Sequence, residues 1–248
     1  MKIKVFILLV MLLITSSAIA KDSILVFAGA GMRDPLIKAG KIFEERFGIE
    51  VIYDFEGAGR LSGKILLGQR ADVFIPGSLQ WADQLREDDG YVLDYKKIAK
   101  HIPVIITAKG RKNIKGLDAF NRSDITLVLG DERACAIGRV GKEIFKKSKQ
   151  KESNMNIKAR GATVKQLVLW VEMENADASI VWLADARQSK KVDIICIQEE
   201  FNLISAIPVC FMRDAPSPKQ AENYIEFLLS EGINIFSECG FEVCSKGE

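Results

Sequence analysis

The chain has 248 residues, 48% of them apolar, with 35 basic and 33 acidic side chains and a formal charge of +2. Charges so evenly balanced leave no basic footprint for nucleic acid, and the length allows one large domain or two small ones. A single histidine and no Cys-x-x-Cys pair argue against a metal site, and no cofactor is expected.

Residues 1–20 combine a basic start (Lys2, Lys4), an apolar run from Val5 to Ile14 and Ala18-Ile19-Ala20 before Lys21. That is the three-part pattern of a secretory signal peptide cleaved after Ala20. The run is short for a membrane span, which needs about 20 residues; a retained anchor is the alternative reading. Without Lys2 and Lys4 the charges balance. Export permits disulfides, and Cys135, Cys196, Cys210, Cys239 and Cys244 are odd in number, leaving at least one thiol free. Cys239 and Cys244 are the candidate bridge, with buried unpaired thiols as the alternative.

Three times an apolar run breaks on small residues and then starts a helix. Ser23–Gly29 leads through Ala30-Gly31-Met32 to Asp34-Pro35, where Leu36, Ala39, Gly40, Phe43 and Phe47 share one helical face up to Gly48. Ile49–Tyr53 is the next strand, followed by Gly57-Ala58-Gly59-Arg60 and a helix carrying Leu61, Ile65 and Leu66, stopped at Gly68. Ala71–Ile75 is a third strand. His101–Ala108 reads as a strand crossing into a second lobe, which holds the Ile125–Leu129 strand, a helix after Arg139 and a polar stretch at 147–156. Thr163-Val-Lys-Gln166 fits a capping box. The strands Ser179–Trp182 and Val192–Ile197 follow. Ser205–Arg213 crosses back, and helices around Ala221–Leu228 and Ile233–Ser237 close the chain.

Strand–helix alternation predicts an α/β fold of two lobes, each with a parallel or mixed sheet, hinged by two crossing strands. The expected boundaries are residues 21–99 with 208–248 for the first lobe and 100–207 for the second. Clefts between lobes are where small ligands sit. Turns into helix N-termini present unpaired backbone N–H groups at the positive end of a helix dipole, an arrangement suited to an anion.

Taken together, Phe27-Ala-Gly-Ala-Gly31, Phe55-Glu-Gly-Ala-Gly-Arg-Leu61, Ala71–Ile75, Gln80-Trp81, Gly130-Asp131, Ala136–Arg139, Val164–Gln166, Ser179–Ala186, Glu226–Ser230, Phe236 and Gly240-Phe241 resemble the periplasmic molybdate/tungstate-binding proteins. These are solute-binding subunits of ABC importers. The likeness runs in order along the chain beyond the signal. It implies a non-enzymatic receptor, a monomer in the periplasm, that closes on molybdate or tungstate and delivers it to a membrane permease. Sulfate, phosphate or chromate receptors, or an enzyme on the same scaffold, are the alternatives.

The family holds its anion with two serine hydroxyls, backbone N–H groups and a tyrosine hydroxyl. By position the serines correspond to Gly31 and to Ala58 or its neighbour, the backbone donors of the second lobe to Ile137 and Val164, and the tyrosine to Trp182. This chain is therefore divergent at every side-chain donor. Backbone N–H groups of Ala30, Gly31, Met32, Gly57, Ala58, Gly59, Ile137 and Val164 remain candidates, with the indole N–H of Trp182, a donor with no acceptor. Arg33 and Arg60 lie just past the missing hydroxyls, where a guanidinium offers charge-assisted hydrogen bonds. Against this stand plainer readings: the glycines as ordinary turns, the arginines as solvated charges, and Trp182 as core. His101 reads as a structural histidine. Asp131 and Glu132, adjacent in a loop, do not converge as an acid–base pair.

Overall fold

A computed structural model describes residues 22–87, 90–134 and 136–244. The expected signal peptide and Cys135 lie outside the described residues. The fold is α/β and two-lobed, with a mixed sheet in each lobe.

In the first lobe β1 (Ser23–Gly29), β2 (Glu50–Glu56) and β3 (Val73–Ile75) are parallel. β10 (Ser205–Met212) is antiparallel to β3 and to β4 (Val92–His101), and β11 (Glu242–Val243) is antiparallel to β4, in the order β11, β4, β10, β3, β1, β2. The second lobe orders β7 (Asn156–Gly161), β6 (Thr126–Gly130), β8 (Ala178–Trp182), β5 (Pro103–Ala108) and β9 (Val192–Cys196). The strands β5 and β8 are buried throughout, as expected of strands covered on both faces.

The helices are α1 (Arg33–Phe47), α2 (Ala58–Leu66), α3 (Leu79–Glu87), α4 (Ala136–Lys147), α5 (Val164–Glu172), α6 (Leu183–Arg187), α7 (Pro218–Phe227) and α8 (Ile233–Glu238). Helix α1 buries Pro35, Leu36, Ala39, Gly40 and Phe43 and ends on Gly48 at φ 70°, the left-handed conformation that glycine adopts without a Cβ penalty. Gly40 is required by close approach. A Cβ there would lie 2.5 Å from the Tyr53 hydroxyl, which donates to Leu36 O at 2.6 Å and lies 2.6 Å from the Tyr224 hydroxyl. Aromatic contacts of Phe43 with Phe47, Tyr224 and Phe227 tie α1 to the C-terminal helices.

The first crossing differs from the expected single strand. His101 ends β4 in the first sheet, and Pro103 begins β5 in the second. Proline has no N–H to donate and restricts the residue before it, so the break falls at Ile102. The returning segment, β10, pairs wholly with the first sheet. Residues 100–101 and 205–207, assigned from sequence to the second lobe, therefore belong to the first sheet. Strand β7 emerges from the polar stretch; as an edge strand it alternates exposed and half-buried residues and carries no long apolar run. No bridge joins Cys239 to Cys244: both are buried thiols.

Candidate functional site

Register decides where the turns emerge. Parallel pairing sets Gly29 beside Glu56, so β1 and β2 end level and their two glycine turns leave the sheet side by side. In the second lobe Gly130 pairs with Gly161, which sets the starts of α4 and α5 side by side in the same way. All four lie at the carboxyl ends of parallel strands, where open α/β sheets bind ligands.

The first-lobe helix starts lack side-chain caps. Ala30–Met32 form one 3-10 turn before α1, and neither Gly29 nor Gly57 offers a side-chain acceptor. The first N–H groups of a helix have no intrahelical partner. The backbone N–H of Arg33 donates to Ala30 O and that of Arg60 to Gly57 O, so these two arginines are represented in the site only by their side chains. Met32 is buried, and its Cε lies 2.9 Å from where a Cβ on Gly29 would sit, so Gly29 leaves room for it.

Arg33 is exposed, and its guanidinium carbon lies 4.4 Å from the Phe55 ring centroid, which brings it over from the first turn toward the second. Arg60 is exposed on the first turn of α2. Lys64 pairs with Asp54 at 2.5 Å and Glu56 at 3.0 Å, offsetting the two carboxylates nearest the second turn.

Across from them, the loop ahead of α4 and the start of α5 are partly satisfied from within. Asp131 Oδ1 accepts from the backbone N–H of Arg133 at 2.8 Å and of Ala134 at 3.0 Å, which lowers its pKa. The expected capping box is present: Thr163 accepts from Gln166 N, and the Gln166 side chain accepts from Thr163 N. The N–H groups of Val164 and Lys165 fall ahead of those claimed by the cap. Ile137 is buried in the core, 1% exposed with its backbone included, so its N–H does not face open solvent in this structure. A Cβ on Gly138 would lie 2.6 Å from the backbone of Gly130 and Asp131, so α4 begins hard against the end of β6.

Contacts between the lobes include one beside the helix starts and one behind them. Lys165 Nζ lies 3.5 Å from Asp34 Oδ2, one residue beyond Val164 and Arg33 respectively. Trp182, at the end of β8, stacks on His101 with ring centroids 4.7 Å apart and 17° between planes. Trp182 is buried but for 8% of its surface and belongs to the core of the second lobe. His101, read from sequence as structural, is buried, and its Nε2 is 3.9 Å from where a Cβ on Gly31 would lie. Its Nδ1 sits 3.0 Å from Gly77 O, and burial lowers its pKa to about 4 against the raising effect of that carbonyl. Asp185, in α6, has its pKa raised to about 6, chiefly by burial; Lys165 opposes this and Asp34 adds to it.

Among the described residues no group of three or more His, Cys, Asp or Glu could hold a metal ion. Nor is any described helix long and apolar enough to cross a membrane. A small cavity bordered by Ile65, Arg70, Tyr91, Met212 and Asp214 lies by the amino end of β3, away from the turns.

Known proteins resemble this chain in sequence and in fold. A "Putative binding protein" of Haemophilus influenzae is 28% identical over 236 residues, covering 93% of this chain and 95% of its own. The "Molybdate-binding protein ModA" of the same organism is 26% identical over 185 residues, 72% of this chain and 73% of its own. Among solved structures, the "substrate binding domain of putative molybdenum ABC transporter from Clostridium difficile" superposes with a TM-score of 0.75 at 20% identity, covering 90% of this chain and 99% of that one. The family model described as "Bacterial extracellular solute-binding protein" matches residues 24–242. That match runs from the first strand to the last, and the chain belongs to this family of solute-binding proteins.

Proposed function

We propose that this protein is the solute-binding subunit of an ABC importer, exported to the periplasm, and that it captures a tetrahedral oxyanion, with molybdate or tungstate first. The relatives named for molybdate support that cargo. The observation that carries the anion reading is the level exit of two uncapped glycine turns from β1 and β2. Ala30, Gly31, Met32, Gly57, Ala58 and Gly59 supply backbone donors from the first lobe, and Ile137, Val164 and the Trp182 indole from the second. Arg33 and Arg60 add positive charge where hydroxyls are missing.

Oriented N–H groups at helix starts stabilise a dianion without a formal counter-charge. Closure follows because an anion bridging both lobes binds the closed form more tightly than the open one. The Asp34–Lys165 pair reinforces that form only weakly, since both side chains are substantially exposed. A permease then reads the closed shape.

A thermal-shift panel tests this. Molybdate or tungstate at a hundred times its Kd adds about 2.7 kcal/mol, a rise on the order of 5–11 °C for a chain this size. Sulfate leaves the midpoint unmoved. A shift with sulfate alone rejects the molybdate assignment, and no shift with any oxyanion rejects the receptor reading.

A further inference from the structure

The junction of the lobes contains a group that the oxyanion reading does not use. The imidazole of His101 is held on three sides: Nδ1 against Gly77 O, one face stacked on Trp182, and Phe241 with its centroid 5.8 Å away. A carbonyl oxygen accepts and cannot donate, so the proton of the neutral ring sits on Nδ1 and Nε2 carries a lone pair. No hydrogen bond to Nε2 is found among the described residues. That atom is also the one toward which a side chain at Gly31 would point.

We propose that His101 contacts the bound ligand through Nε2 and that the cleft therefore captures an oxyanion together with one proton, shared between that nitrogen and an anion oxygen. The inference rests on the oxyanion reading of the cleft. A lone pair facing an acceptor-only dianion repels it; a proton between them turns the contact into a charge-assisted hydrogen bond. Molybdate carries no proton at neutral pH, so the ring takes one from solvent and becomes an imidazolium bonded to Gly77 O and to the anion. Hydrogen phosphate brings its own proton, donates it to the neutral Nε2 and needs none from solvent.

The charged residues on the elements around the ring include Arg33, Asp34, Asp185, Arg187 and Glu242, with Lys100 next to it on its own strand. Asp34 pairs with Lys165, Lys100 with Glu242, and Arg33 lies over Phe55. None of them is among the causes of the ring's shift, which are burial and the Gly77 carbonyl. The free site is thus neutral at His101, and the charge appears only with the ligand.

His101 is the only histidine in the chain, so its ring resonances can be followed without a variant. NMR titration of the full chain, with and without saturating sodium molybdate, is paired with calorimetry in two buffers of different ionisation enthalpy. The expected result is a ring that titrates near 4 when free and stays protonated above pH 7 with molybdate. Close to one proton is taken up per anion, and affinity falls nearly tenfold per pH unit between 6.5 and 8. Inorganic phosphate at pH 8 binds with no uptake. His101→Gln, which offers a permanent amide donor, binds molybdate with neither uptake nor pH dependence. Molybdate heat with an unmoved ring and no proton uptake overturns the role of His101 and leaves the receptor intact. Heat from phosphate but none from molybdate supports the proton requirement while rejecting the molybdate assignment. No heat from any oxyanion overturns both.

Discussion

The two lobes meet the cleft with helix starts of opposite character. In the first, Gly29 and Gly57 lead into helices with no side-chain cap for their opening N–H groups. In the second, Asp131 and Thr163 accept from their own chain and hold the entries to α4 and α5 rigid. A capped start is worth about 1 kcal/mol of stability; an uncapped one forgoes that and leaves donors for a ligand. Under the proposed function this difference divides the labour: the first lobe would supply most of the anion field, and the second a fixed wall for closure.

The sharpest way to break this contrast is to give the first lobe a cap of its own. Gly57 has φ −67° and ψ 138°, and a Cβ there meets nothing within 4 Å, so Gly57→Asp fits without strain. The new carboxylate takes the Gly59 N–H in place of the ligand. Molybdate affinity falls by about a hundredfold, about 2.7 kcal/mol, while the melting temperature rises. Calorimetry with thermal denaturation checks both signs at once.

On the opposite wall, Gly138→Ala drives a methyl into backbone atoms 2.6 Å away. Overpacking of this kind costs about 1–3 kcal/mol, and backbone that cannot swing aside sets the cost near the upper end. Urea unfolding measures it, and affinity falls as well because the Ile137 N–H moves with the α4 start.

A smaller effect tests the buried charge where the lobes meet. Asp185 has a folded pKa near 6, above its unfolded value, so the folded state binds the extra proton and stability falls as pH rises from about 4 to 6. His101 acts the other way: its folded pKa near 4 lies below the unfolded value, and stability rises as pH climbs from about 4 to 6.5. Asp185→Asn removes the first effect and leaves the second. The variant gains on the order of 1–2 kcal/mol at pH 7, allowing for partial exposure, and nothing at pH 4. Its stability between those values climbs more steeply than that of the unaltered chain, as denaturation across pH would record.

Smallest is Thr163→Ala, which removes the cap of α5 at a cost of about 1 kcal/mol. Anion affinity changes less than twofold, because the Val164 N–H lies ahead of the capped group. A larger loss of affinity than of stability would reverse the assignment of labour between the lobes.

Much of the scaffold was legible along the chain because its causes are local. Gly48 and Gly68 stop their helices in the left-handed conformation that a side chain resists. Thr163 and Gln166 lie three residues apart and satisfy each other's backbone. Small residues after an apolar run mark each glycine turn. Strand β7 was hidden because an edge strand needs no apolar run, and the strand break at Ile102 was smoothed over by a continuous β-branched stretch.

What the sequence by itself determined was therefore the inventory: α/β lobes, glycine turns into helices, and one capping box. Tertiary structure alone decided which turns end level, since Gly29 meets Glu56 and Gly130 meets Gly161 only through sheet register. It also left Cys239 and Cys244 as separate buried thiols. Above all it stacked the buried His101 on Trp182 and set its Nε2 3.9 Å from where a Cβ on Gly31 would lie. Those partners lie 70 and more residues away along the chain, and no local pattern of polarity or propensity encodes a contact made only when two sheets are assembled.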